Sequence, residues 1–408
     1  MLHETSLIYT IATGFVFALG GGYLAARLRL PTLVGYLFAG IAIGPFTPGI
    51  VADPKISAQL ADIGVILLMF GVGIHFSFRE LLAVWRIAVP GAISQIVLAV
   101  GLGVFTAHFW GWPLGASLVL GLALSVASTV VLMRELEGRG ALSSAHGHIV
   151  VGWLVVEDLV TVLVLVLLPV FATALGGEPL GHGAYAERSL ILTLGITVAK
   201  LAAFTLVMLV AGARFLPWLL EQIAQTDSRE LFTLAVIAIA LGVAFGSAEL
   251  FGVSFALGAF FAGVLVNQSD HSQRAALESR ALQEAFTVLF FVSVGMLFDP
   301  AIVAERASRA LCVLLIIVAG KSLGALAIVL SFRYSMDTAL TVAAGLAQIG
   351  EFSFILGEMG VALKLMPREG ASLIVVGALL SITLNPLIFR IAHALQRAPV
   401  NTPARIES

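Results

Sequence analysis

The sequence predicts an all-α polytopic membrane protein of about thirteen transmembrane helices, built as two inverted six-helix repeats, spans 1–6 and 8–13. Three observations predict it: an apolar composition, a succession of apolar stretches near bilayer length, and internal matches at one near-constant spacing. Of 408 residues, 60% are hydrophobic and only 11% are charged, and the mean hydropathy is +1.06. Soluble domains carry roughly 25% charged residues. A formal net charge of -2 identifies no partner, and nothing in the chain points to nucleic acid. The single cysteine, Cys312, lies in an apolar stretch, which excludes an intrachain disulfide framework and a cysteine metal cluster. Met1 to Glu4 lacks a basic region and the apolar run carries straight on, so the N-terminus reads as a first span, not a cleaved signal.

Crossing roughly 30 Å of hydrocarbon takes about 20 apolar residues. Such stretches fall at 6–26, 32–46, 56–76, 87–109, 113–133, 148–172, 189–219, 230–247, 251–267, 284–298, 308–332, 337–360 and 370–396. The second, ninth and tenth are short and punctuated by glycine. Orientation follows from the loop bias of Lys and Arg. With the N-terminus outside, fourteen of the 22 basic residues fall on the cytoplasmic side and six outside, while Lys200 and Lys321 lie within spans. An outside N-terminus and a cytoplasmic C-terminus are expected.

The repeat is read from four matches. Gly35-Tyr-Leu-Phe-Ala-Gly40 resembles Gly258-Ala-Phe-Phe-Ala-Gly263, and the run Leu67–Phe76 resembles Leu289–Phe298. Gly121-Leu-Ala-Leu resembles Gly345-Leu-Ala-Gln, and Val151-Gly152 matches Val376-Gly377. The offsets are 223, 222, 224 and 225 residues, in one order along the chain. Spans 1–6 therefore pair with spans 8–13, and a shift of seven spans inverts one half relative to the other. The expected divisions are a first repeat at 1–172, a linker region around span 7 at 173–228, a second repeat at 229–398 and a short cytoplasmic tail at 399–408. Substrate sites in inverted repeats lie near the midplane, often at interrupted helices.

Glu157 and Asp158 sit side by side in the apolar run Ile149 to Phe171. Carboxylates at that depth cost at least about 2.5–3.5 kcal/mol each and usually mark an ion or proton path. Asp158 falls opposite Thr383 under the repeat, so this carboxylate belongs to one half only. Successive helical residues point about 100° apart, so Glu157 and Asp158 cannot face one partner equally. Lys321 in span 11 is the expected counter-charge of Asp158; Lys200 in span 7 reads as a packing or snorkelling lysine. Interrupted helices are expected at Ser125-Val-Ala-Ser128-Thr129 in span 5 and at Gln348-Ile-Gly350-Glu351-Phe352 in span 12. Hydroxyl, amide and carboxyl side chains there can satisfy backbone groups freed by unwinding; close packing through small residues is the competing reading. Gln95, within span 4, reads as helix packing, with cavity lining as the alternative. Asn385-Pro386 reads as a kink, and His75, Asp62 and Glu358 as interfacial residues near span ends.

These segments together resemble the membrane domain of the Kef-type monovalent cation:proton antiporters, YbaL-like branch. The resemblance covers nearly the whole chain. It rests on the run Leu67–Phe76, Ser125-Val-Ala-Ser-Thr-Val-Val, Val156-Glu-Asp-Leu, the run Phe255–Gly263, the run Phe290–Phe298, Gly320-Lys321-Ser and Gln348-Ile-Gly-Glu-Phe-Ser-Phe. It implies a sodium/proton-antiporter-like fold with thirteen spans, a homodimer in the bilayer, and a dimerisation part distinct from a moving core. Within that core two broken helices cross near an ion-binding aspartate, which maps onto Asp158. Lys321 maps onto the core lysine that pairs with that aspartate in many relatives. Glu157 departs from the family, whose Kef members have Gln there and whose sodium/proton relatives have Asp or Asn. Kef-type proteins usually continue into a cytoplasmic nucleotide-binding regulatory domain, for which 408 residues leave no room. Either these residues are part of a longer protein or this member lacks that control.

The expected function is potassium:proton antiport across a bacterial inner membrane with elevator-like alternating access, and no enzymatic activity. Cation and proton compete for Asp158, aided by Ser128, Thr129 and the broken-helix carbonyls, with Gln348 and Glu351 completing the polar setting. The monovalent cation is the substrate, and no resident cofactor is expected. Sodium:proton antiport is the alternative in the same class, and a cation channel the alternative from another. An intramembrane hydrolase lacks both a His-Glu-x-x-His motif and a second buried aspartate.

Overall fold

The computed structural model describes residues 5–76, 78–141, 144–178 and 190–397. The tail at 399–408 and the start of span 7 at residue 189 lie outside the described residues. All regular structure among the described residues is helical. In the first half it comprises α1 (Thr5–Arg27), α2 (Thr32–Ala42), α3 (Pro54–His75), α4 (Phe78–Phe109), α5 (Leu114–Ser125), α6 (Thr129–Gly138) and α7 (Ala145–Phe171). Span 7 is α8 (Leu190–Val207) and α9 (Ala213–Ala224), joined by the π turn Met208–Gly212. The second half comprises α10 (Arg229–Phe251), α11 (Phe255–Asn267), α12 (Ser272–Met296) and the short α13 (Pro300–Glu305). After it come α14 (Ala307–Leu315), the π turn Ile316–Gly320, α15 (Lys321–Ser331), α16 (Met336–Gly345), α17 (Glu351–Ala362) and α18 (Arg368–Arg397). Eight of the described helical stretches are each long and apolar enough to cross a bilayer.

Local chemistry sets the helix starts. Asp53 accepts from Lys55 N and Ile56 N with Pro54 in the first turn of α3, and Ser144, Ser228, Ser254 and Ser335 cap α7, α10, α11 and α16 in the same way. Several expected boundaries move; span 4, expected from 87, begins at Phe78 as α4. Span 10 was expected at 284–298, but α12 begins at Ser272, because its first turns carry Arg274, Glu278, Arg280 and Glu284 and escape an apolar scan. In that polar extension the Arg229 guanidinium lies 2.9 Å from Glu278 Oε1 and holds its carboxyl below the ordinary glutamate range. Span 7 runs on to Ala224 rather than ending at 219.

The repeat appears in the helix order. Thr5 and Arg229, Thr32 and Phe255, Thr129 and Glu351, and Ala145 and Arg368 open corresponding helices 222 to 224 residues apart. Corresponding glycines also make corresponding contacts. A Cβ on Gly40 of α2 would strike Val292 O and approach Gly295 Cα of α12; one on Gly263 of α11 would strike Phe70 O and approach Gly73 Cα of α3. Such backbone-to-backbone approach is what small residues permit in a membrane.

Two bodies result. Helices α1–α3 pack with α10–α12, and α9 lies along α10 and α11. Helices α4, α5 and α7 pack with α14–α18. The second body has its own buried cluster, including Ile87, Leu132, Trp153, Val329, Val342 and Phe389. Large apolar side chains such as Ile8, Val16, Leu19, Leu234, Leu250 and Leu323 remain exposed on the outer surface, as lipid-facing helices require.

Candidate ion site at two crossed helix breaks

Spans 5 and 12 are both interrupted, where the sequence places the breaks. Helix α5 ends at Ser125, Val126 is extended, and α6 starts at Thr129. Helix α16 ends at Gly345 and α17 starts at Glu351 after an extended Gly350. The breaks touch backbone to backbone: a Cβ on Gly350 would lie 2.5 Å from Ser128 Cα, so only glycine fits.

An interrupted helix frees carbonyl and N–H groups that are costly to leave unpaired at membrane depth. Side chains take them here. Ser128 N donates to Gln348 Oε1 (3.0 Å), while Gln348 Nε2 donates to Ser128 O (3.1 Å) and Gly345 O (3.2 Å). The Gln348 carboxamide thus stands in for a peptide unit and joins the two breaks. Gln95 Nε2 donates to Ser125 O (3.3 Å), Lys321 Nζ to Gln348 O (3.0 Å) and Asn385 Nδ2 to Ala344 O (2.9 Å).

Glu157 belongs to this framework. It is fully buried; Ala127 N donates to its Oε2 at 3.2 Å and Trp153 Nε1 to its Oε1 at 3.1 Å. Lys321, also fully buried, has Glu157 as its electrostatic neighbour. Lys321, expected to pair with Asp158, forms no ion pair within 4.0 Å with either carboxylate among the described residues; its electrostatic neighbour is Glu157 and not Asp158. The π turn Ile316–Gly320 ends immediately before Lys321.

Asp158, 5% exposed, faces the start of α6. Thr129 Oγ1 donates to its Oδ2 at 3.0 Å, whereas its buried Oδ1 has no hydrogen-bond partner. Its charged neighbours are Glu351 and Glu157. Ser128 Oγ donates to Glu351 Oε2 at 3.2 Å and accepts from Val131 N at 3.3 Å, which caps α6. Asp158 and Glu351 thus meet at consecutive hydroxyls on one helix N-terminus, where the helix dipole favours negative charge.

The structure brings together Ser128, Thr129, Glu157, Asp158, Lys321, Gln348 and Glu351. Lys200 stands apart near Gly252 at the C-terminus of α10, and His75 Nδ1 is 2.8 Å from Gly71 O within α3. Asn385, expected only to mark a kink, holds the end of α16, and Gln95, expected to pack, holds the end of α5. Trp153 was not singled out from the sequence, although its place four residues before Glu157, on the same helix face, was a usable signal.

Comparisons with known proteins agree with this geometry. The sodium/hydrogen exchanger transmembrane family matches residues 15–393. The putative cation/proton antiporter YbaL of Escherichia coli K12 is 54% identical over 389 residues, covering 95% of this chain and 69% of that protein. K(+) efflux antiporter 4 of Arabidopsis thaliana is 32% identical over 394 residues, covering 96% and 65%. In fold, the chain is similar to the sodium proton antiporter MjNhaP1 of Methanocaldococcus jannaschii, with a TM-score of 0.66 at 15% identity over 95% of this chain and 98% of that one.

Proposed function

The chain belongs to the sodium/hydrogen exchanger family, and from that membership we propose that it is a secondary antiporter exchanging a monovalent cation, potassium foremost, for a proton at Asp158. One observation carries the reading: Oδ1 of Asp158 is buried without a partner between two crossed helix breaks, while Oδ2 is held by Thr129. A buried carboxylate oxygen left open calls for a proton or a cation.

In this mechanism ionised Asp158 binds a dehydrated cation through Oδ1, with the Ser128 and Thr129 hydroxyl oxygens and break carbonyls completing an oxygen shell. Protonation of Asp158 releases the cation, so one carboxylate carries either ion but not both. The body formed by α4–α7 and α14–α18 moves past the body formed by α1–α3 and α10–α12, exposing the site to each side in turn. Glu157 and Lys321 travel as a mutually compensated pair. The α6 and α17 N-termini direct positive dipole ends toward the site and lower the cost of its negative charge. The protein acts as a homodimer in a bacterial inner membrane, with its N-terminus outside and its C-terminus cytoplasmic, in line with the Lys and Arg bias of its loops.

Potassium is favoured because relatives such as K(+) efflux antiporter 4 carry that activity in their names; sodium is the alternative. A channel is disfavoured by the tightly stitched break crossing. The test is proton flux in proteoliposomes driven separately by potassium and sodium gradients, with wild type and Asp158→Asn. Coupled flux with potassium that disappears in the variant is the expected result, and undiminished coupled flux in the variant would sink the mechanism.

A further inference from the structure

Three carboxylates are buried at the crossing, and one has a fixed positive neighbour. Lys321 serves Glu157 and the Gln348 carbonyl. Asp158 and Glu351 are 5% and 2% exposed, and among the described residues neither has a cationic side chain as an electrostatic neighbour, as Glu157 has Lys321. They are electrostatic neighbours, anchored to consecutive hydroxyls: Thr129 Oγ1 to Asp158 Oδ2 at 3.0 Å and Ser128 Oγ to Glu351 Oε2 at 3.2 Å. An N-terminal helix dipole supplies the equivalent of roughly half a positive charge. That is too little to hold two ionised carboxylates out of water, where like charges oppose double ionisation. Oδ1 of Asp158 is buried and takes no hydrogen bond from the protein.

We propose that Glu351 is the second carboxylate of the transport site, so that Asp158 and Glu351 together hold either one dehydrated monovalent cation or one shared proton. Every group facing the pair fits this division. Ser128 and Thr129 on α6 supply neutral hydroxyls; Glu157 on α7 is compensated by Lys321 on α15; and Gln348, before α17, is occupied with Ser128 and Gly345. The two loaded forms carry equal charge. Two ionised carboxylates with one cation, and one ionised with one protonated carboxyl, both sum to a single negative charge. One proton therefore leaves for each cation that binds. Glu351 raises cation affinity by adding a second anionic oxygen ligand, and it sets the pH range by sharing the proton with Asp158.

The assignment rests on the antiporter reading, and the experiment separates the two. Potassium-coupled proton flux is measured against potassium concentration and pH for wild type, Glu351→Gln, Glu351→Asp, Ser128→Ala and Asp158→Asn. Glu351→Gln is expected to raise the potassium KM about tenfold or more, a loss of about 1.4 kcal/mol of binding, and to move half-maximal flux to lower pH. Glu351→Asp keeps both within about threefold, while Ser128→Ala, which removes the hydroxyl that donates to ionised Glu351, raises the KM less and moves half-maximal flux to higher pH. A wild-type KM and pH profile in Glu351→Gln, even with a lower maximal rate, overturns the proposal. If that variant folds but is inactive, the potassium concentration that half-saturates its thermal stabilisation decides: an increase supports the proposal and a wild-type value overturns it. If it does not fold, Ser128→Ala decides by the same two readouts. Retained coupled flux in Asp158→Asn removes Asp158 as the carrier and overturns this assignment with it. A wild type without cation-coupled proton flux strikes the antiporter reading alone, because potassium half-saturation of thermal stabilisation still tests Glu351.

Discussion

Glu157 and Lys321 are buried neighbours that grip different breaks: Glu157 accepts from Ala127 N of the first, and Lys321 donates to Gln348 O of the second. A charge pair in this position acts as a clasp between the two repeats. Removing one member of a buried pair leaves the other uncompensated, at a cost of about 3–5 kcal/mol. Glu157→Gln keeps acceptor and shape but strands Lys321, so the variant should melt several degrees lower while retaining coupled flux. Adding Lys321→Met should recover part of the loss. Thermal unfolding in detergent beside flux in proteoliposomes checks both; an unchanged melting temperature in Glu157→Gln would count against the clasp.

Asp158 carries the opposite expectation. Asp158→Asn removes charge from a region with an uncompensated carboxylate neighbour, so folding should be unharmed or improved while coupled flux is lost. The same melting and flux measurements apply, and a strongly destabilised variant would assign Asp158 a structural role.

Competition for one site has a kinetic signature. Lowering the pH on the side of cation entry should raise the apparent KM for potassium without changing the maximal rate extrapolated to saturating potassium. Initial flux at a series of fixed pH values tests this; a fall in maximal rate at constant KM would point to a separate proton site.

Gly350→Ala places a methyl against the Ser128 backbone. Overpacking of this kind costs about 1–3 kcal/mol, and here it also parts the crossing. Gly20→Ala, with open space around its Cβ, is the control. Coupled flux and melting temperature should both fall for Gly350→Ala and hold for Gly20→Ala.

Gln348→Leu leaves Ser128 N and O without their side-chain partners, each buried unsatisfied group costing about 1–3 kcal/mol. Gln348→Glu retains only an acceptor and should be nearly as damaging. Hydrogen exchange at the break, read by mass spectrometry, should speed up in both variants; unchanged protection would show that the breaks hold without the amide.

The architecture was largely legible in the sequence, because spans and their repetition depend on apolar length and local residue type. The breaks at Ser125–Thr129 and Gln348–Phe352 were legible for the same reason: small and polar residues at membrane depth have few uses. Pairing across helices was not. That Lys321 has Glu157 rather than Asp158 as its charged neighbour depends on the rotation of α15 against α7, which no one-dimensional pattern records. The tasks of Gln95 and Asn385 were hidden likewise, since an amide that holds a distant carbonyl looks in sequence like any packed polar residue. The polar first turns of α12 were missed because an apolar scan is blind to a helix that extends past the bilayer.

The carboxamide stitch between Gln348 and Ser128 also bears on direction. Since it ties the two interrupted segments into one piece, the proposed mechanism carries the ion's surroundings across without rebuilding them. On that reading the same oxygen ligands meet the cation from either compartment, and the prevailing gradients set whether the cell is loaded or emptied.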